Sequence, residues 1–352
     1  MFNRTANKMA VSILPVLLMM IVGCGEQTPS FSLLPEEDIF QQNNDKVLNA
    51  KMDILWVIDN SGSMDTSQAN TANNFNVFIN DFVSKGFDYQ IAVTTTEAYV
   101  RNSDFRDGTN STSHTGYPII TPSTPDLVNT FMINVVQGVS GSGDERAFQS
   151  MKAALDDTDN AGFVRNDAFL AIVIVSDEDD ISRDGAEFQP YSTNDLHATN
   201  DYLTYLDGIT GSTEGDRRYN ISAMAIQDEE CRDFLNQSWT GRKIGARYGE
   251  LADATGGVKG DLCGDFAADF DLISKNIIQQ ATQFYLSRIP IPETIRVIVN
   301  GQLVPNRNNN PGPTSGGWSY NAESNSIMFH GDHIPNQGDK IKIDYDPVNY
   351  GS

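Results

Sequence analysis

Two uninterrupted apolar runs, each ending abruptly in aspartate and serine, constrain the fold of this chain most. Residues 53–64 read DILWVIDNSGSM, and residues 168–180 read AFLAIVIVSDEDD. A strand with one solvated face alternates apolar and polar residues, whereas a strand buried on both faces, as in a parallel sheet, is continuously apolar. Both runs therefore predict central strands of a parallel sheet.

Further apolar runs alternate with amphipathic stretches between residues 51 and 286. This periodicity predicts strands at 52–58, 88–95, 168–176 and 219–227, and helices at 66–84, 126–137, 145–156, 195–208, 242–255 and 267–285. Alternating strands and helices are typical of an α/β domain. We expect a doubly wound, mostly parallel sheet with helices on both faces.

The pattern changes in the last part of the chain, residues 287–352. The stretch IRVIVNGQLV, residues 295–304, alternates apolar residues around an Asn-Gly pair, which is a strong signal for a β-hairpin. This part is predicted to form a small antiparallel β module of sandwich type.

Oxygen-bearing side chains follow both central strands: Asp59, Ser61 and Ser63 after the first, and Asp177 after the second. Because ligands bind beyond the carboxyl ends of parallel strands, we expect these side chains to lie close together. Carboxylates and hydroxyls without histidine or cysteine suit hard cations, so Mg²⁺ is expected first, with Mn²⁺ or Ca²⁺ as alternatives. Two carboxylates leave such an ion incompletely neutralised. An acidic side chain of a partner protein is therefore expected to complete its ligand shell.

This pattern resembles the von Willebrand factor type A domain. The stretch DNSGSM, residues 59–64, matches the D-x-S-x-S element after the family's first strand, and Asp177 matches its later aspartate. YGELADATGGVKG, residues 248–260, resembles the family's late helix and following strand. The resemblance spans about residues 51–286. It implies a metal-ion-dependent adhesion site with Ser61 and Ser63 as direct ligands and the aspartates bound directly or through water.

One ligand of the family's site has no obvious counterpart. The family usually supplies a threonine from its middle loop, but SGSGDERAF, residues 140–148, contains none. Ser142 is expected in its place, with Asp144 as the alternative. If Asp144 were the ligand, the site would be more anionic, which would favour Ca²⁺ and weaken the capture of an acidic partner.

Other interpretations of these motifs remain open. DNSGS is also what a strand-to-helix turn or helix cap prefers, and the acidic run at 177–180 beyond Asp177 is expected to be a solvated loop. Neither motif contains a histidine that could activate a serine, and the G-x-S-x-G pattern is absent around both serines. We therefore expect no enzyme. A passive envelope module with a non-functional site, and then a metal-dependent hydrolase, are the alternatives.

The amino terminus predicts export. Residues 1–23 carry Arg4 and Lys8 followed by AVSILPVLLMMIV, which is too short to cross a bilayer comfortably and resembles a cleaved signal peptide. The ending IVGC resembles a bacterial lipobox, which implies lipidation of Cys24; an ordinary signal peptide beside a chance cysteine is the alternative. Residues 24–50 are expected to be a tether. The protein is thus expected in the bacterial cell envelope, lipid-anchored, with the outer membrane favoured by the resemblance.

If Cys24 carries the lipid, Cys231 and Cys263 remain as an even pair in an exported chain. Disulfides are the default state of such pairs in oxidising compartments. We therefore predict a disulfide between them, with two free thiols as the alternative.

The net charge of the chain limits the classes of partner that it can bind. Against 47 acidic residues there are 24 lysines and arginines, which gives a formal net charge of -23. A surface of that sign repels phosphate backbones, so nucleic acid is not expected to bind. The partners that remain are a protein ligand and, through the lipid anchor, a membrane. Adhesion or an envelope interaction is the expected function.

Overall fold

The computed structural model describes residues 46–109, 113–185, 194–213, 216–238, 241–307 and 316–348. All of them belong to one structural unit, Pro35–Ser352. The predicted signal peptide, Cys24 and most of the predicted tether lie outside the described residues. Within the described ranges, no helix is both long enough and apolar enough to cross a membrane.

The central sheet contains six strands: β2 (Lys51–Ile58), β3 (Asp88–Thr95), β4 (Ile119–Ile120), β5 (Phe169–Ser176), β6 (Tyr219–Ala225) and β7 (Lys259–Asp261). They lie in the order β4-β3-β2-β5-β6-β7. All neighbours pair in parallel except β3 and β4, which are antiparallel. The prediction of a mostly parallel sheet in an α/β protein is confirmed.

The helices are α1 (Asp65–Ser84), α2 (Leu127–Val135), α3 (Ala147–Asp156), α4 (Thr199–Thr210), α5 (Glu229–Leu235), α6 (Ala246–Thr255) and α7 (Phe266–Ala281). Six of them correspond to predicted helices, and α5 was not predicted. The helix predicted from residue 242 begins only at Ala246. The chain passes close to the sheet just before this point, because a Cβ at Gly245 would lie 2.8 Å from Cβ of Ala225.

Alternate residues of β2 enter two separate apolar cores. Trp56 lies in the first core, where its ring centroid is 5.1 Å from that of Phe78, 5.2 Å from Phe131 and 5.4 Å from Phe270. Those rings belong to α1, α2 and α7. The second core combines Leu55 and Val57 with side chains of α3, α4 and α6, namely Phe148, Tyr202 and Tyr248. The sheet is therefore flanked by helices, while the doubly wound type A arrangement stays a prediction.

The remaining strands form two small antiparallel sheets. Strands β1 (Lys46–Val47), β13 (Lys340–Asp344), β9 (Arg296–Val299) and β10 (Gln302–Val304) form one in that order, and β11 (Gly317–Asn321), β12 (Ser326–His330) and β8 (Phe284–Tyr285) form the other. Asn300 and Gly301 join β9 to β10 with φ of 52° and 80°, the backbone that favours Asn-Gly in hairpins. The predicted antiparallel β strands are thus present. The predicted domain boundaries stay a prediction. Strand β1 lies within the range predicted for the tether, and β8 lies within the range predicted for the α/β domain.

Candidate functional site

The two central strands end side by side, which brings their polar continuations together. Ile58 is paired with Val175, and the backbone N–H of Asp59 donates to the carbonyl oxygen of Val175 at 2.9 Å. Strands β3 and β5 lie on opposite sides of β2, so the strand order reverses at this point. Such a reversal opens a crevice at the carboxyl edge of the sheet. Asp59 is fully buried there.

The other ligands predicted from these two motifs lie around Asp59. The backbone N–H of Ser61 donates to Asp59 Oδ1 at 2.8 Å. The hydroxyl oxygens of Ser61 and Ser63 are 3.4 Å apart, and Ser63 Oγ donates to Asp177 Oδ1 at 3.0 Å. Four predicted site residues therefore form one cluster of oxygen atoms.

This cluster does not cap the following helix. The residue at the N-cap of α1 is Met64, and its side chain makes no capping hydrogen bond. A helix cap is the usual structural reason for Asp and Ser before a helix. The side chains of this motif instead bond to one another, to Asp177 and to Ser176, whose hydroxyl donates to Asp59 Oδ2 at 2.7 Å.

The middle loop is held at the same edge by Glu97. Its Oε1 accepts a hydrogen bond from the backbone N–H of Ser142 at 2.7 Å, and its Oε2 accepts one from Nδ2 of Asn60 at 3.1 Å. The N–H of Gly141 donates to the carbonyl oxygen of Asn60 at 2.8 Å. A Cβ at Gly141 would lie 2.5 Å from Cγ of Asn60, so this approach requires glycine. Sequence reasoning missed Glu97, although it lies only two residues after the end of β3.

The same loop distinguishes Ser142 from Asp144. Arg146 holds Asp144 with two hydrogen bonds, from Nε at 3.1 Å and from Nη2 at 2.8 Å. The Tyr99 hydroxyl donates to Asp144 as well, at 3.2 Å. A carboxylate fixed in this way has little freedom to bind an ion. Ser142 is therefore the better candidate for the middle-loop ligand.

Arg242 is a second residue that sequence reasoning missed. It lies in the non-helical segment before α6, is 7% exposed, and its Nε donates to Asp177 Oδ2 at 2.6 Å. Its Nη2 donates to the carbonyl oxygen of Ser63 at 3.3 Å. Arg242 thus occupies one oxygen of Asp177 and leaves the other directed toward Ser63.

Negative charge at this edge is concentrated and buried. Burial, and then the charge of Asp177, raise the pKa of Asp59 to about 6. Burial, and then the charge of Asp59, raise the pKa of Glu178 to about 8. Repulsion among close carboxylates is relieved by a cation, so the electrostatics favour a positively charged ligand here.

The expectation of a solvated acidic loop beyond Asp177 is wrong for Asp180. This side chain is fully buried, and Glu178 and Asp179 are half-buried. The Asp180 carboxylate accepts a hydrogen bond from the backbone N–H of Phe148, at the beginning of α3, at 3.0 Å. It also accepts one from the backbone N–H of Ser182 at 3.0 Å and one from the Ser182 hydroxyl at 2.8 Å. Asp180 therefore has a structural role, because it joins the segment after β5 to α3.

The donor set fits a hard divalent ion. Adjacent oxygens bound at about 2.1 Å to an octahedral Mg²⁺ lie about 3.0 Å from one another. The Ser63–Asp177 oxygen pair has this separation, 3.0 Å, and the Ser61–Ser63 pair is wider, at 3.4 Å. Several buried oxygen atoms nearby have no hydrogen-bond partner among the described residues. They are Oδ1 of Asn60, the hydroxyl oxygens of Thr95 and Thr96, and both carboxyl oxygens of Glu145.

The predicted disulfide is confirmed: Cys231 and Cys263 are bonded, with their sulfur atoms 2.03 Å apart. It links α5 to the loop that follows β7. Cys231 is buried within the first apolar core. The bond therefore joins two surface segments of the α/β part to that core.

Comparison with known proteins gives only remote likenesses. No protein-family model matches the sequence, and no curated protein does. The pilus adhesin SpaC from Lactobacillus rhamnosus GG, in its open conformation, is similar with a TM-score of 0.40 and 12% identity, over 86% of this chain and 39% of SpaC. For the pilus adhesin RrgA from Streptococcus pneumoniae the values are 0.31 and 11%, over 86% and 57%. For proximal thread matrix protein 1 from the mussel byssus they are 0.36 and 11%, over 70% and 51%. The chain thus spans about two fifths to three fifths of these proteins, and likenesses this weak establish neither a family nor a function.

Proposed function

We propose that this protein is an adhesion protein of the bacterial cell envelope that binds a partner protein through a divalent ion. The ion would be held by Asp59, Ser61, Ser63, Ser142 and Asp177, as in the metal-ion-dependent adhesion site of a type A domain. One observation carries the proposal: two motifs at strand ends meet in one cluster of oxygen atoms. Ser63 and Asp177 are 114 residues apart in the sequence, yet their side chains form a hydrogen bond. This cluster does not cap α1.

The charges of the proposed ligands support an acidic partner group. Only Asp59 and Asp177 among them are carboxylates, and Arg242 compensates part of that charge through its ion pair with Asp177. A bound divalent ion, Mg²⁺ in the first instance, would supply the positive charge that an acidic side chain requires. The hydroxyls of Ser61, Ser63 and Ser142 add no charge, so the ion would keep its affinity for an anion.

The first test is calorimetry with Mg²⁺, Mn²⁺ and Ca²⁺ on the purified full-length chain and on Asp59→Ala. We expect the wild type to bind one ion and the variant to lose binding by at least about 100-fold, because it removes a buried carboxylate ligand. Asp233→Ala removes an exposed aspartate of α5 and is the matched control. Unchanged affinity in Asp59→Ala would place any ion elsewhere and refute this site.

The partner chemistry can be tested with a surface coated with polyglutamate. A protein with a net charge of -23 is repelled by such a surface. We therefore expect retention only when Mg²⁺ is present, release by EDTA, and no retention of Asp59→Ala. Retention that is the same with EDTA and with Mg²⁺ would contradict capture through the ion.

The anchor and the absence of catalysis are parts of the same proposal. Lipidated Cys24 would hold the protein in the outer membrane, so Cys24→Ala is expected to move it from the membrane pellet to the soluble fraction; an unchanged distribution would refute the anchor.

A catalytic serine would need a base. His114, His197 and His330 form hydrogen bonds with residues other than Ser61 and Ser63. His333 is exposed in the segment after β12. Ion-dependent hydrolysis of an ester that Ser61→Ala abolishes would overturn the binding role.

A further inference from the structure

Glu145 is a buried acid that the proposed ligand set does not use. Its side chain is 1% exposed, and neither carboxyl oxygen has a hydrogen-bond partner among the described residues. Buried polar groups are nearly always hydrogen-bonded, and a carboxyl without a partner is costly to bury. A donor from outside the described residues, such as a water molecule, would satisfy this group.

The fold holds Glu145 against the oxygen cluster. The backbone N–H of Ile181 donates to the carbonyl oxygen of Glu145 at 2.8 Å, which pins its backbone to the segment after β5. Burial is the main cause that raises the pKa of Glu145, and the charge of Asp59 is the second. The hydroxyl of Thr96 is close enough to lower that pKa, yet it too has no partner at hydrogen-bonding distance among the described residues. The Glu145 carboxyl thus lies beside both Asp59 and Thr96.

Direct coordination of the same ion by three carboxylates does not fit the geometry. Among the described residues, two groups of three acidic, cysteine or histidine side chains bring ligand atoms within 4.8 Å of one another, and Glu145 belongs to neither. Asp59, Asp177 and Glu145 therefore do not converge on one point. A water molecule bound to an ion beside Asp59 would span the additional distance, because metal-bound water is a good hydrogen-bond donor to a carboxylate.

We propose that Glu145 is a positioning residue of the metal centre, whose carboxylate accepts hydrogen bonds from water bound to the ion. This inference rests on the proposed function, because it needs an ion beside Asp59. Carboxylates that orient the ligands of a metal typically change its affinity by about 10–100-fold when they are removed.

The test compares Mg²⁺ affinities of the full-length wild type, Glu145→Gln, Asp59→Ala and Glu230→Gln by calorimetry. Glu145→Gln keeps the shape of the side chain and is expected to raise the Kd for Mg²⁺ by about 10–100-fold. Glu230→Gln removes the same charge from an exposed position of α5, so its Kd should equal that of the wild type. Equal Kd values for the wild type and Glu145→Gln would overturn the inference.

Thermal unfolding in EDTA separates this role from a purely structural one. Glu145→Gln removes negative charge from an acidic cluster, so without the ion we expect an unchanged or higher melting temperature and, on adding Mg²⁺, a smaller rise than in the wild type. A lower melting temperature in EDTA with an undiminished Mg²⁺-induced rise would assign Glu145 to folding alone. If the wild type binds no ion, the metal centre fails and this inference with it. If the wild type binds and only Glu145→Gln is unaffected, this inference alone fails.

Discussion

Strand β2 carries a buried aspartate at each end, and the two are compensated in opposite ways. Asp53 near its beginning and Asp59 just after its end are both 0% exposed. Arg165 closes the first end: its N–H and Nε donate to Asp53 at 2.7 and 2.8 Å. Among the described residues, Asp59 accepts hydrogen bonds from neutral groups, the N–H of Ser61 and the hydroxyl of Ser176. The charged groups that act on Asp59 or feel its charge are other carboxylates, those of Asp177, Glu145 and Glu178.

The electrostatic causes show what this difference means. Burial raises the pKa of both aspartates to about 6. At Asp53, the hydrogen bonds and charge of Arg165 lower the pKa, whereas at Asp59 the charge of Asp177 raises it further. The same residue type, on the same strand and equally buried, is thus neutralised by the chain at one end only. The carboxyl end of β2 is where a cation from outside has a role.

Arg165→Met should break the closed end and have the largest effect. It leaves Asp53 buried without its cation, and breaking such a pair costs about 3–5 kcal/mol. Urea unfolding should show this loss, and Mg²⁺ should not restore it. Arg296→Met, exposed on β9, is the control and should change stability by less than about 0.5 kcal/mol. Recovery of Arg165→Met in Mg²⁺ would show that the closed end also accepts an ion, which would remove the contrast.

The next largest effect is expected from the disulfide between α5 and the loop after β7, two segments that follow the carboxyl ends of β6 and β7. The bond between Cys231 and Cys263 closes a loop with a sequence separation of 32 residues. Replacing both cysteines by serine should lower the free energy of unfolding by about 3–4 kcal/mol on the chain-entropy account. Unfolding of the wild type with and without a reducing agent should give the same difference. A Mg²⁺ affinity that also falls in the folded variant would show that the bond helps to place the segment carrying Arg242.

The smallest of the three effects is expected for Arg242→Met, which tests whether an ion can replace an arginine beside Asp177. The change leaves the buried Asp177 without its cation, and in EDTA it should cost about 3 kcal/mol, the lower end of the range for a broken buried pair, because the Ser63 hydroxyl still donates to Asp177. Millimolar Mg²⁺ should recover much of this loss, because the ion supplies positive charge beside the same carboxylate. Urea unfolding in EDTA and in Mg²⁺ measures both values. If Mg²⁺ recovers nothing, Arg242 is a structural partner like Arg165, and the two ends are alike.

The sequence by itself predicted the central strands and the meeting of their ends. Continuous apolar runs reflect burial on both faces, a local property that composition records, so β2, β5 and the mostly parallel sheet were predictable. The parallel pairing of these two strands then brings Asp59 and Asp177 to one edge. The paired cysteines and the Asn-Gly turn between β9 and β10 were predictable for similar local reasons.

The tertiary structure alone decided which polar side chains surround that edge. Arg242 reaches Asp177 across 65 residues, and Glu97 reaches the N–H of Ser142 across 45. Neither contact leaves a trace in hydrophobic periodicity, and residue 242 was assigned to a helix that begins only at Ala246. Asp180 and Glu145 are buried because other loops return over them. The partners and burial of a charged side chain depend on where distant segments cross in space, and this is why local patterns predicted the strands of the site but not its surroundings.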